Sequence, residues 1–440
     1  MSSIVNGWNV AYFDNRLSPA ALAALEALNE ASTDAQALAD RTFRLMRVAR
    51  LDARDLSVHT ARILGAVTRS VPSAWDGAVP PITLPGRHQK LDDYIAGNSW
   101  HRPGREPVLL DLGCGFPPVT ALDSATTLAG WRVIGVDPSF DRYIIYDGDD
   151  YACFDDDQFL RFFHTSTVAS DPALTRARFR DLWRMLLPLL PAGNDGEPAE
   201  VEYQGARLVL NPLRYYERAN LRLTHGEIGS VDIEGGVDVI RCMNVFMYFD
   251  HAFRERALVW ATGLVRPGGL FICGNNWAYS TSSRYTVYQE HDGRLVPREF
   301  ALSIDNLRPV AIAPWYALHD DSHENICNAE AVGIIRDDDA FRARFDERLD
   351  ALLAQKGICR RRPDGYLGAA GGPVTHAVLD DSTAAITQQL EREGFVDDAV
   401  TVLRRAGRHA WRNAAGHIAM RPVPPRPFPA PAVELYGRAS

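Results

Sequence analysis

The run VLLDLGCGFPPVTALDSA, Val108 to Ala125, and the run WRVIGVDPS, Trp131 to Ser139, decide the fold. An apolar strand leads into Asp111, then Gly113 and Gly115, then a helix opened by proline. A second apolar strand follows and ends on Asp137. This order predicts a βαβ unit whose second strand offers a carboxylate to the hydroxyls of a ribose. The glycines let the backbone of the first turn approach a ligand, because a Cβ there would hold it away.

Two kinds of cofactor suit such a turn. A dinucleotide site prefers GxGxxG, its last glycine allowing the helix to pack closely on the strand. Here Pro117 and Pro118 follow Gly115, and that last glycine is missing. Asp111, just upstream of the glycines, suits a cofactor with an ammonium group better than one with a pyrophosphate. The residues therefore favour S-adenosylmethionine (SAM) over a nicotinamide dinucleotide.

Beyond Asp137 about eighty residues pass before α/β order returns. This insertion, about 141–220, reads as a cover over the site. It holds the acidic stretch YDGDDYACFDDDQF (Tyr146 to Phe159), an amphipathic helix around Phe179 to Leu190, and a hairpin, Val201 to Asn211, turning at Gln204-Gly205. Strands are then predicted over Leu221–Ile228 and Val237–Phe249, with a helix from His251 to about Val265. RPGG (Arg266 to Gly269) turns the chain into LFICGNN, and RYTVYQEHDGRLVPREF forms an antiparallel pair turning at Asp292-Gly293.

VLLDLGCGFPP, VIGVDPS and the strands after them resemble the class I SAM-dependent methyltransferases. VDVIRCMNVFMYFDHAFRERALVWATGLVRPGGLFICGNN is similar, more narrowly, to the chemotaxis-receptor (CheR-type) methyltransferases. That family shares a strand ending in C-x-N-V-x-x-Y-F, an inserted hairpin and a histidine closing the third strand, here His225. The resemblance covers roughly Val108 to Asn276. It implies a Rossmann-like, seven-stranded α/β core and SAM as cofactor. It also implies that Asp111, Gly113 and Gly115 contact the methionine end and Asp137 the two ribose hydroxyls. Gly226, Glu227 and Ile228 would lie beside the adenine, and Asn244 near the SAM amino group. Two features depart from the CheR pattern. No FFR-type motif precedes the glycine turn, the nearest string being RFFH at Arg161 to His164, and no basic receptor-gripping helix is apparent.

Asn244 closes a strand, where a polar side chain points into the crevice, and Tyr248 follows four residues later. Both are candidates for the methyl-transfer path, although Tyr248 also reads as a core aromatic. HDDSHE, His319 to Glu324, reads as a solvated loop, and the acids between Asp147 and Asp157 lack EF-hand spacing. No metal site is expected.

The 440 residues allow two domains or one core with large additions. The expected organisation is a helical cap over 1–105, the core over 106–330, a helical region over 331–420 and a Pro-rich tail over 421–440. In the cap, Ser18-Pro19 opens a helix carrying Leu22, Leu25 and Leu28, and further helices are expected around 33–49 and 56–67. Helices are also expected over Asp337–Gln355 and Ser382–Asn413, with HIAMRPV as a last strand.

A net charge of −9 disfavours a nucleic-acid or anionic-membrane binder. Six scattered cysteines without a CxxC pair form neither a zinc pattern nor a disulfide framework, and Cys114, Cys242 and Cys273 read as core. Of 47 basic residues only Lys90 and Lys356 are lysine, a bias expected of a GC-rich bacterial genome. Without a signal peptide or a membrane-length apolar run, the chain is expected to be cytoplasmic. The expected reaction is methyl transfer from SAM to an acceptor, favoured as a small molecule by the acidic charge and the cover. A CheR-type protein carboxyl methyltransferase and a SAM-binding enzyme that cyclises or cleaves its ligand without an acceptor are the alternatives.

Overall fold

The computed structural model describes residues 3–26, 40, 43–44, 46–47, 50, 83–97, 104–164, 172–191, 197–249, 251–308, 323–359, 368–369 and 376–422. Among the described residues four helices precede the insertion, α1 (Ser3–Phe13), α2 (Pro19–Glu26), α3 (Gln89–Gly97) and α4 (Val119–Thr127). Then come α5 (Pro172–Leu186), α6 (His251–Leu264) and α7 (His323–Asp337), followed by α8 (Asp339–Gln355), α9 (His376–Arg392) and α10 (Phe395–Arg405). The strands begin with β1 (Val108–Leu112), β2 (Arg132–Asp137), β3 (Tyr143–Asp147), β4 (Asp150–Phe154), β5 (Leu160–His164), β6 (Ala199–Tyr203), β7 (Ala206–Leu210) and β8 (Leu221–His225). They continue with β9 (Val237–Met243), β10 (Val265–Asn275), β11 (Arg284–His291), β12 (Arg294–Leu302), β13 (Ile358–Cys359), β14 (Gly368–Ala369), β15 (Ala410–Arg412) and β16 (Ile418–Met420).

The main sheet has nine strands in the order β15-β16-β12-β11-β10-β9-β1-β2-β8. Its parallel part, β8-β2-β1-β9-β10, runs third, second, first, fourth, fifth in the order of the core, which is the Rossmann arrangement. The chain reverses its order of strands between β1 and β9, and ligands of such sheets bind beyond the carboxyl ends at that switch point. β11 and β12 continue the sheet antiparallel, completing seven strands, and the β15–β16 hairpin pairs with β12 to add two more. The expected seven-stranded sheet is thus extended at one edge.

β1 and β9 are buried on both faces, which is why they read as nearly unbroken apolar runs. One face packs Leu109, Val133, Val239 and Ile272 against α3 and α4; the other packs Leu110, Ile134, Ile240 and Phe271 against α6. Helices α7 to α10 enclose a separate core on Phe300 and Leu302 of β12. Ser18 accepts from the Ala21 amide at 3.1 Å and so caps α2 as expected. Most of the cap helices expected around 33–49 and 56–67 lie outside the described residues, as does the tail from 423.

Several expectations need correction. The acidic stretch Tyr146 to Phe159, to which the sequence assigned no element, is half strand: β3 and β4 form a hairpin across Gly148, which has φ +61°, with Ile144 facing Cys153. Acids at the turn hid the alternation of the strands. Together with β5, β6 and β7 this hairpin makes a five-stranded antiparallel sheet packed on α5. The expected strand over Val237–Phe249 stops at Met243, where Asn244 turns left-handed (φ +61°) and a 3-10 turn, Phe246–Tyr248, follows. His323 and Glu324 open α7, with Glu324 buried, so they do not belong to a solvated loop. Ala410–Arg412 is strand, because α10 ends at Arg405 and Gly407 (φ +79°) turns the chain back.

Candidate functional site

The glycine turn sits at the carboxyl end of β1. Gly113 and Gly115 both have positive φ (+72° and +73°), a conformation that other residues adopt at a cost. A Cβ on Gly113 would lie 2.3 Å from Cγ2 of Val245, so the turn after β9 packs directly on the turn after β1. The Gly113 amide donates to the Val136 carbonyl at 2.8 Å.

Asp137 is buried at the tip of β2. Its Oδ2 accepts from the Gly115 amide at 2.8 Å, and its Oδ1 accepts from the Ser139 amide at 2.9 Å and the Ser139 hydroxyl at 2.5 Å. Burial pushes its carboxyl above the usual range against the pull of these donors. An ionised carboxylate offers about four lone-pair sites. Three are in use, so two ribose hydroxyls fit only if a Ser139 contact gives way. The sequence placed Asp137 at the end of the second strand, where it lies, without showing that it also braces the turn.

Asp111 does not face open space. On the adjacent strand Arg241 lies directly opposite, and its Nε and Nη2 donate to Oδ1 and Oδ2 of Asp111 at 3.0 and 2.8 Å. Nη1 of the same guanidinium donates to Asp92 of α3 at 2.5 Å. All three side chains are buried. One guanidinium cannot neutralise two carboxylates. The bidentate partner takes most of the benefit, and burial pushes Asp92, with its single Arg241 bond, up to about 6. With Arg241 on both oxygens and the Thr120 hydroxyl on Oδ2, the expected contact between Asp111 and an ammonium group would fall to the remaining lone pair of Oδ1.

Asn244 pairs reciprocally with Asn276, the residue just past β10. Its Nδ2 donates to Oδ1 of Asn276 at 2.9 Å, and its Oδ1 accepts from the Asn276 amide at 3.0 Å. Nδ2 of Asn276 reaches the Arg87 carbonyl at 2.7 Å and Nδ1 of His88 at 2.9 Å. Since a carbonyl only accepts, that nitrogen is the donor, and His88 carries its proton on Nε2. Burial, with Arg241 and Arg87 nearby, holds His88 well below the usual histidine range, so it is neutral at pH 7.

Gly226 follows β8 with its amide 3.4 Å from the Asp137 carbonyl, and a Cβ there would meet Val231 at 2.6 Å. Glu227 is exposed and Ile228 half-buried on the face that α6 covers. His225, opposite Asp137 in register, is exposed. The Tyr248 backbone lies in the 3-10 turn, and its side chain is outside the described residues. The structure therefore brings Asp111, Gly113, Gly115, Asp137, Gly226 and Asn244 to one edge of the sheet. Cys114, Cys242 and Cys273 are buried core residues, as expected.

Sequence reasoning missed Arg241, Asp92, His88, Asn276 and Asp141. Arg241 did carry a signal, as a charge in the middle of a buried parallel strand requires a buried carboxylate. Asp141 lies four residues past Asp137 with Oδ2 buried and without a hydrogen-bond partner, and burial raises it to about 6. The insertion closes on the turn from one side: Tyr151 of β4 donates to the Phe116 carbonyl at 2.9 Å, and the Phe116 ring meets Tyr151 and Tyr216 edge-on. Among the described residues no group of three or more His, Cys, Asp or Glu is arranged to hold a metal, and no helix is long and apolar enough to cross a membrane.

The class that these features define is a Rossmann-like α/β protein with a nucleotide-type turn at its switch point. No protein-family model and no curated protein matches the chain. Solved structures do. An amino pentose methyltransferase from Micromonospora echinaspora, bound to SAM, matches at 16% identity over 53% of this chain and 67% of its own, with a TM-score of 0.21. The PKMT2 protein of Rickettsia typhi matches at 15% identity over 44% of this chain and 26% of its own (TM-score 0.20). A SAM-dependent methyltransferase from Clostridium acetobutylicum matches at 14% identity over 49% of this chain and 66% of its own (TM-score 0.22). At such scores these likenesses carry no weight for the chemistry of this chain, which rests on the strand order and the turn.

Proposed function

We propose that the chain is a SAM-dependent methyltransferase acting on a small-molecule acceptor. The observation that carries this reading is the bond from the Gly115 amide to the Asp137 carboxylate at the switch point. It joins the glycine turn to an acid suited to vicinal hydroxyls, as a nucleoside cofactor requires. The donor set fits SAM in charge as well. Beneath the turn, Asp92, Asp111 and Arg241 sum to one net negative charge, which favours a ligand carrying a sulfonium and an ammonium.

When bound, SAM supplies an activated methyl, which passes to an acceptor lone pair while the sulfur leaves as a thioether. The work left for this chain is mainly positioning. Asp137 and Gly115 would hold the ribose, and the Asn244–Asn276 pair would line the methionine end. The five-stranded insertion, fastened to Phe116 by Tyr151, would exclude water from the acceptor side. An acceptor that must lose a proton would also need a base.

The test is product analysis. Incubated with SAM and a panel of small amines, phenols and carboxylic acids, the protein should release S-adenosylhomocysteine only when an acceptor is present. Methylthioadenosine formed without an acceptor would overturn transfer in favour of SAM cleavage. Methyl esters on added protein substrates, with no small molecule modified, would favour the carboxyl-methyltransferase alternative.

A further inference from the structure

We propose that Asp92 of α3 is a positioning residue of the cofactor site, acting through Arg241 to orient Asp111 and to supply the uncompensated negative charge beneath the methionine end. This rests on the SAM reading above. The sequence alone assigned α3 to a separate cap, and nothing in its QKLDDYIAG pattern marks Asp92 as functional. In the structure the segment 86–97 belongs to the edge of the sheet where the site lies.

Two independent attachments place it there. The first is the ion triad, in which Asp92 is fully buried and is also held by the Ser124 hydroxyl of α4, 2.9 and 3.0 Å from its two oxygens. The Ser124 hydroxyl also lies 2.9 Å from the Thr120 carbonyl, so that its single proton is shared between that carbonyl and Asp92, and the Thr120 hydroxyl lies 3.2 Å from both Asp111 Oδ2 and the Cys114 carbonyl. Asp92 therefore reaches the glycine turn along two routes, one through Arg241 and one through α4. The second attachment is His88, bonded to Asn276 and through it to Asn244.

The charge argument follows from stoichiometry. A structural ion pair balances; this cluster places two carboxylates on one guanidinium and excludes water from all three. An unbalanced buried charge is costly unless something of opposite sign approaches it. Beside the cluster His88 is neutral, while Arg87 keeps its positive charge over the Trp277 ring, 5.2 Å from the centroid. Asp137 adds further negative charge from β2. A bound sulfonium or ammonium at the turn would complete the set.

The test is SAM affinity by titration calorimetry between pH 8 and pH 5, for the unmodified protein, Asp92→Asn and Ser124→Ala. Burial lifts the Asp92 carboxyl to about 6, so it gains a proton within this range. The groups facing the triad are Arg241 and Asp111 within it, His88 and Arg87 from the preceding turn, Cys114 from the glycine turn, Cys242 from β9 and Asp137 from β2. Asp137 is also raised by burial, and its titration remains in all three proteins, so the difference between them isolates Asp92. In the unmodified protein affinity should fall as Asp92 is protonated. Asp92→Asn should bind roughly tenfold more weakly at pH 8 and lose that part of the pH dependence. Ser124→Ala keeps the carboxylate but removes a bond that favours its ionised form, so the midpoint should move to higher pH. A merely structural role would change melting temperature without moving that midpoint. SAM binding with the same affinity and pH profile in all three proteins overturns the role of Asp92 and leaves the proposed function standing. An unmodified protein that binds no SAM at any pH overturns the function and this role together.

Discussion

The packing of Val245 on Gly113 makes a quantitative prediction about how the two halves of the site are joined. Replacing Gly113 with alanine does two separable things. It puts a Cβ on a residue at φ +72°, which costs about 1–2 kcal/mol. It also places that Cβ 2.3 Å from Cγ2 of Val245, an overlap that requires the neighbour to move and costs a further ~1–3 kcal/mol. Together the loss should be about 2–5 kcal/mol. Val245→Ala removes Cγ2 and, as a truncation of a half-buried residue, costs about 1 kcal/mol by itself. In that background only the backbone term of Gly113→Ala remains, so the double variant should be more stable than the sum of the singles by ~1–3 kcal/mol. Urea unfolding of the four proteins, followed by circular dichroism, measures the cycle. Additivity within about 0.5 kcal/mol would refute the contact and, with it, the convergence of the β1 and β9 turns.

Two further predictions concern buried charge. Arg241→Met leaves Asp92 and Asp111 buried without a counter-ion and should cost about 3–5 kcal/mol at pH 8. Without the guanidinium the folded carboxyls bind protons more readily than the unfolded ones, so acid should narrow the gap to the parent. A Tm difference that widens between pH 8 and pH 5.5 would contradict this. His417 is fully buried with Nε2 unbonded, and burial holds it well below the ordinary 6.5. The unfolded chain therefore takes up a proton as pH falls below about 6.5 while the folded one does not, and stability is lost on that side. Asp92 and Asp141, raised to about 6, oppose this loss over the same range. The contribution of the histidine is thus read by difference: His417→Gln should lose less Tm than the parent between pH 7 and pH 5, and an equal loss would remove His417 as the cause.

What was legible in the sequence was what is local. The βαβ unit shows itself because Val108–Leu112 and Arg132–Asp137 are short apolar runs separated by a glycine turn and a helix. The two hairpins at Gln204-Gly205 and Asp292-Gly293 show themselves through residues that accept positive φ, and all four have it. The β3–β4 hairpin was missed because its turn is acidic and its buried residues, Ile144, Ile145, Ala152 and Cys153, read as an ordinary mixture. The triad was missed for a different reason. Arg241 announces the need for a buried acid, but not which one, and its partners are 130 and 149 positions away in the chain. Asn276 and His88 are likewise 188 positions apart. No periodicity connects residues that meet only after the sheet has formed. Asp111 shows the consequence most clearly. Its position beside the glycines suggested direct contact with a ligand, and a strand neighbour supplied by the fold takes both of its oxygens.

The central claim is that the turn at Gly113 and Gly115, together with Asp137, binds the nucleoside of SAM. The most direct measurement is equilibrium binding of SAM to the unmodified protein and to Asp137→Ala, each checked for intact secondary structure by circular dichroism. Two hydroxyl bonds to a charged acceptor are worth about 1.5–3 kcal/mol each, so the variant should lose roughly a hundredfold or more in affinity. Equal affinity in the two folded proteins would contradict the account, as would the absence of SAM binding by the unmodified protein.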